Sequence, residues 1–179
     1  MVCLARIVRE DVYFTEPGME NTDSVVEAVL ARVEATGVKA VVVASNRGFT
    51  ALKLGERLRG GAKLVSVSEY KYDASTRRRL EELGAILIEE CPLPVHDRTE
   101  LRETLYFFGQ GLKVAVEVAA IAAGRNAVER YEDIIAVGGT GRGADAAIVA
   151  RATPIEDFYS PDVKKRMEIR EVIAMPLKK

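Results

Sequence analysis

The sequence has 179 residues, 48% of them hydrophobic, and its 26 Lys plus Arg nearly balance 27 Asp plus Glu. That length suits one domain with a substantial core, and hydrophobic content this high excludes a disordered chain. The balanced charge supplies no basic stripe for nucleic acid, and one histidine with two distant cysteines, Cys3 and Cys91, excludes a multi-His or CxxC metal site.

Val12–Thr15 reads as a short strand stopped by Pro17-Gly18. Asn21 and Thr22 offer N-cap oxygens to a helix that keeps Val25, Val26, Val29, Leu30 and Val33 on one face, with Gly37 as its stop. Val38–Ala44 (VKAVVVA) is a nearly unbroken β-branched run, the pattern of a strand covered on both faces. The turn Ser45-Asn46-Arg47-Gly48 leads into a predicted helix over Phe49–Leu58, and Ala62–Ser68 is the next strand. Asp73 or Ser75 caps a helix carrying Leu80 and Leu83, Gly84 ends it, and Ala85–Ile88 is a third strand. Short alternating strand and helix segments predict an α/β fold, a mostly parallel sheet with helices on both faces.

Cys91–Asp97 (CPLPVHD) is a loop, because two prolines in four residues suit neither a central strand nor a helix. A helical stretch over Arg98–Ala123 breaks near Gly109-Gln110-Gly111. Its second half is apolar nearly all round and so buried; a helix of that kind is also a candidate subunit contact, which leaves a homo-oligomer open. Ile134–Val137, Ala146–Ala152 and Ile169–Met175 are further strands, some of them antiparallel, with a short helix after Pro161 between the last two. Residues 1–179 form a single domain with no internal repeat.

Two Gly-rich turns could carry chemistry. Ser45-Asn46-Arg47-Gly48-Phe49-Thr50 lies between a buried strand and a helix, where free amides and the helix dipole favour a phosphate. Ser45, Asn46 and Thr50 add side-chain donors and Arg47 a charge, while Gly48 permits close backbone approach, so Val at that position should block binding and spare the fold. An ordinary N-cap turn explains the same residues equally well. The second turn is Gly138-Gly139-Thr140-Gly141-Arg142-Gly143-Ala144-Asp145. Its GxGxxA spacing resembles a dinucleotide fingerprint, but the following AAIVARA reads as strand rather than helix. A ligand loop with Arg142 as donor is the better reading, and a tight turn between adjacent strands also accounts for it.

The remaining polar candidates have structural explanations. Lys113 and Glu117, four apart on the apolar helix, read as a mutually satisfied pair or a helix edge at solvent, with a general acid/base role as the alternative, and His96 as a surface or capping residue. Arg77-Arg78-Arg79 and Lys164-Lys165-Arg166 sit beside acidic residues and read as solvated helix faces. No apolar stretch reaches the length of a membrane span, so no membrane partner is expected and the location is expected to be cytoplasmic. Abundant Arg and Glu with a single glutamine, Gln110, lean toward heat adaptation.

Lys39–Tyr70 (KAVVVASNRGFTALKLGERLRGGAKLVSVSEY) resembles the C-terminal α/β domain of pyruvate kinases. There a Ser/Thr-Gly turn after the first long strand holds the same place, and in regulated members it binds a sugar phosphate. YFTEPGMENT, FGQGLKVAVEVAAIAA, AVGGTGRGADAAIVARA and EVIAMP extend the likeness to a stand-alone archaeal family with that fold and no catalytic barrel, in which flavin mononucleotide (FMN) has been seen bound. The resemblance implies that Ser45, Asn46, Gly48, Phe49 and Thr50 cradle the phosphate, with Asn21, Thr22, Gly139, Thr140, Arg142 and Asp145 near the ligand. Between Tyr70 and Thr104 the chain is shorter than relatives that carry a polar insertion. The expectation is a small-molecule phosphate ligand, FMN, with a flavin redox role open. The alternative is a regulatory module that binds a phosphorylated metabolite without catalysis. Pyruvate kinase activity is not expected without a barrel and its metal site.

Overall fold

The computed structural model describes residues 6–179, so Cys3 lies outside the described residues. Seven strands form one sheet: β1 (Val12–Phe14), β2 (Ala40–Ala44), β3 (Lys63–Val67), β4 (Ile86–Ile88), β5 (Asp133–Gly138), β6 (Ala146–Arg151) and β7 (Ile169–Pro176). Five α-helices accompany them: α1 (Thr22–Thr36), α2 (Phe49–Leu58), α3 (Ala74–Glu82), α4 (Thr99–Tyr106) and α5 (Gln110–Gly124). The sheet order is β1-β7-β6-β5-β2-β3-β4. The block β5-β2-β3-β4 is parallel, β6 runs antiparallel to both β5 and β7, and β1 pairs in parallel with β7.

The continuous valines of β2 are explained by cover on both faces. Val41 and Val43 pack toward α1 and α2, while Val42 packs toward α5. Each such fully buried side chain contributes roughly 1.5–3 kcal/mol relative to exposure. The alanines of α5 (Ala115, Ala119, Ala122, Ala123) are all buried, and their small side chains let the helix sit close on the sheet. The chain's own sheet and α4 cover this helix.

Three local expectations are corrected. Asn21 precedes α1 in helical geometry and makes no side-chain cap bond, because a 3-10 turn (Met19–Asn21) leads straight into the helix. The Asn21 side chain donates instead to the Glu16 carbonyl at 2.9 Å. After Pro161 there is no helix; the chain forms turns, and a 3-10 turn lies earlier, at Ile155–Asp157. Carbonyls that a helix would use internally accept from elsewhere: Arg151 donates to those of Val163 (2.8 Å) and Arg166 (2.9 Å), and Thr153 to that of Lys165 (3.1 Å). Lys164-Lys165-Arg166 therefore lies on an exposed turn, not on a helix face. As AAIVARA indicated, the segment after β5 is a strand, antiparallel β6, and not the helix of a dinucleotide fingerprint.

Candidate functional site

The strand order reverses direction at β2 and β5. From β2 the chain proceeds outward to β3 and β4, then returns through α4 and α5 to β5 on the other side of β2. Ligands of open α/β sheets bind outside the carboxyl ends of the strands at such a reversal. Both Gly-rich turns leave that edge, one after β2 and one after β5.

The first turn is held from below by side chains. Tyr72 donates its hydroxyl to the Ser45 carbonyl at 2.7 Å and also contacts Ser66 Oγ at 2.8 Å. Its phenol is raised above the ordinary value, chiefly by burial. Ser45 Oγ accepts from the Ala51 amide at 3.3 Å, so Ser45 serves the helix as a cap. Asn46 is tied to Glu69: its Nδ2 donates to Oε1 and its Oδ1 accepts from the Glu69 amide, both at 3.0 Å. Among the described residues, the amides of Phe49 and Thr50 at the start of α2 have no protein acceptor. Phe49 and Arg47 are exposed, whereas Thr50 is buried.

Gly48 has a different role from the one expected. Its φ of +77° is left-handed, and a Cβ there would clash with the Thr76 methyl of α3 rather than project into open space. It is needed for the bend and for packing against α3, so Val at this position would damage the fold.

The second turn lies against the start of α1, and most of its groups are engaged internally. Thr22 Oγ1 donates to the Met19 carbonyl (2.6 Å) and accepts from the Ala144 amide (3.0 Å). Asp145, fully buried, accepts from the amides of Gly18 and Thr140 at 3.1 Å each through Oδ2. Its Oδ1 has no hydrogen-bond partner and lies against Gly111 at the start of α5. A side chain on Gly138 would meet the α5 backbone, one on Gly139 the Gly143 carbonyl, and one on Gly143 Thr22 and Met19. Gly141 and Arg142 are exposed and Thr140 half-buried. The loop's glycines thus pack three segments together, and among the described residues the side chains of Arg142 and Thr140 have no hydrogen-bond partner.

On the α5 side of the first turn lies a cavity of about 180 Å³. Ala44, Val67 and Val118 form apolar walls; Asn46 and Glu69 close one side, and Gln110, Lys113 and Glu117 line another, with Cys91 and His96 at its margin. Lys113 and Glu117 are each 2% exposed and ion-paired. Glu117 Oε1 accepts from the amides of Val95 (2.8 Å) and His96 (2.9 Å), and Lys113 Nζ lies 3.4 Å from His96 Nδ1. Burial pushes the Cys91 thiol above its ordinary value. A satisfied pair was legible from the i,i+4 spacing, but its place in a cavity was not: only the packing of loop 91–97 on α5 creates it. A larger groove, about 530 Å³, lies between the C-terminal halves of α1 and α2, at the opposite edge of the sheet from both turns.

A model of the pyruvate kinase alpha/beta domain matches residues 23–150. The chain belongs to that family. The matched stretch runs from α1 into β6 and takes in both Gly-rich turns and the cavity, whereas β1 and β7 fall outside it. Among solved structures, Cryptosporidium parvum pyruvate kinase in complex with ADP is similar at 12% identity and a TM-score of 0.44. That match covers 73% of this chain, which spans only 23% of the other. Among the described residues, no helix of this family member is long and apolar enough to cross a membrane.

Proposed function

We propose that this family member binds a phosphate-bearing ligand, FMN, with its phosphate on the turn between β2 and α2. The observation that carries the reading is the pair of unpartnered amides, Phe49 and Thr50, at the start of a ten-residue helix beside the strand-order reversal. Such amides, with the helix dipole, favour an anion. Arg47 adds an exposed cation next to them, and Arg142 a second on the neighbouring loop.

The structure supports the two ends of FMN differently. The phosphate end matches the donors just named. The isoalloxazine exceeds the 180 Å³ cavity, since ligand pockets typically span roughly 300–1,000 Å³. The rim near the turn instead presents Phe49 and Tyr70, 44% and 63% exposed, as surfaces on which a flat aromatic ring stacks. When bound, the flavin would supply redox chemistry, with the protein contributing placement. The exposed turn, which offers amides and cations without an enclosed slot for a ring system, also suits a second reading, a sensor of a small phosphorylated metabolite without turnover.

Thermal unfolding with each compound decides between the two. Saturating FMN at about 100 times its dissociation constant should add about 2.7 kcal/mol and raise Tm by about 5–10 °C. A rise with ribose 5-phosphate and none with FMN supports the sensor, and a flat response to both removes the phosphate reading.

Heat adaptation belongs with these proposals. Arg32 joins Asp11 and Glu171, and Glu168 joins Arg151 and Arg170, which also reaches Asp133. Networks of this kind favour stability at high temperature.

A further inference from the structure

We infer that the cavity beneath α5 is a separate binding site for a small neutral molecule that pairs a carbonyl acceptor with an N–H donor, such as an amide or cyclic urea. A buried ion pair on an otherwise apolar helix is a weak source of stability, because desolvation opposes the attraction. Here both charges line a cavity instead of closing it.

The donors and acceptors define the ligand. Glu117 is held by three donors, with Oε1 accepting from two backbone amides and Oε2 from Lys113. An ammonium carries three N–H donors. Lys113 directs them at two protein partners, Glu117 and His96, which leaves one for a carbonyl oxygen in the cavity. On the facing wall, Glu69 uses Oε1 to hold Asn46, and Oε2 is left to accept from a ligand N–H. The charges of Lys113, Glu117 and Glu69 sum to −1, so a carboxylate or phosphate is disfavoured there. At roughly 30 Å³ per water, 180 Å³ holds about six water volumes, the size of a five-membered ring. Ala44, Val67, Val114 and Val118 supply apolar contact for its edges.

The full chain, titrated with 2-imidazolidinone and followed by amide NMR, tests the site; cyclopentanone, lacking the donor, and acetate, carrying the charge, are comparison probes. Saturable shifts at Asn46, Gln110 and Val114 are expected with 2-imidazolidinone, weaker ones with cyclopentanone and none with acetate. Lys113→Met/Glu117→Gln keeps the Oε1 acceptor and removes the charges, and should weaken binding about tenfold or more. Glu69→Ala, on an exposed side chain, should weaken it with the fold intact. No saturable shift at these residues, acetate binding as well as the urea, or unchanged binding in both variants would overturn the assignment. None of the probes carries phosphate, so the outcome is independent of the reading of the β2–α2 turn.

Discussion

Tyr72 fixes the oxygen of Ser45 from beneath, and with it the direction in which the start of α2 presents its amides. Tyr72→Phe removes two hydrogen bonds and leaves the Ser45 carbonyl with the longer bond from the Gly48 amide, 3.2 Å, alone. The loss should be about 1–3 kcal/mol in urea unfolding. Burial places the Tyr72 phenol above its ordinary 10.0 and the Cys91 thiol above its ordinary 9.0. A group with a raised folded pKa contributes stability that is present below the unfolded pKa and is lost as pH rises. Unfolding free energies should therefore decline from about pH 9 upward, and Tyr72→Phe/Cys91→Ala should flatten that decline relative to its own neutral-pH value. Arg142 has no such structural duty. If it meets a ligand phosphate, Arg142→Ala should cost about 1.5–3 kcal/mol of affinity while Tm stays put. PGMENT and GGTGRGAD meet in the fold, Gly18 and Thr22 bonding to Asp145 and Ala144. What single residues in that cluster do was not legible: whether Thr22 or Asp145 faces a ligand or its own chain depends on contacts across more than 120 residues.

Among the elements, α2 and α5 decide the two sites. Gly48→Ala should destabilise the protein by about 1–2 kcal/mol from the left-handed backbone alone, and Thr76→Ser should recover the steric part by removing the obstructing methyl. Full stability of Gly48→Ala, measured by the same unfolding, would contradict the packing account. On α5, Lys113→Met alone strands a buried carboxylate and should cost about 3–5 kcal/mol, whereas adding Glu117→Gln should restore much of it. The periodicities made α1, α2, α3 and the break between α4 and α5 readable to within a residue or two. The segment after Pro161 was misread because Arg151 and Thr153, from another part of the chain, take the carbonyls a helix would need.

For the whole molecule, the β-branched runs with short connections made the parallel block β5-β2-β3-β4 foreseeable. The other half was not. The pairing of β1 with β7 joins Val12 to Ala174, a contact no local pattern encodes. That distant closure brings the β1–α1 connection onto the loop after β5. Glycines chosen for close packing there look the same in sequence as glycines chosen for a phosphate. The β2–α2 turn is the place where the two can be told apart, since its amides have no acceptor. Equilibrium titration of the protein with FMN and with riboflavin, followed by flavin fluorescence, compares ligands that differ only by the phosphate. FMN should bind at least about tenfold more tightly, as expected for a charge-assisted hydrogen bond. Equal affinity for the two flavins, or binding of neither, would contradict that expectation.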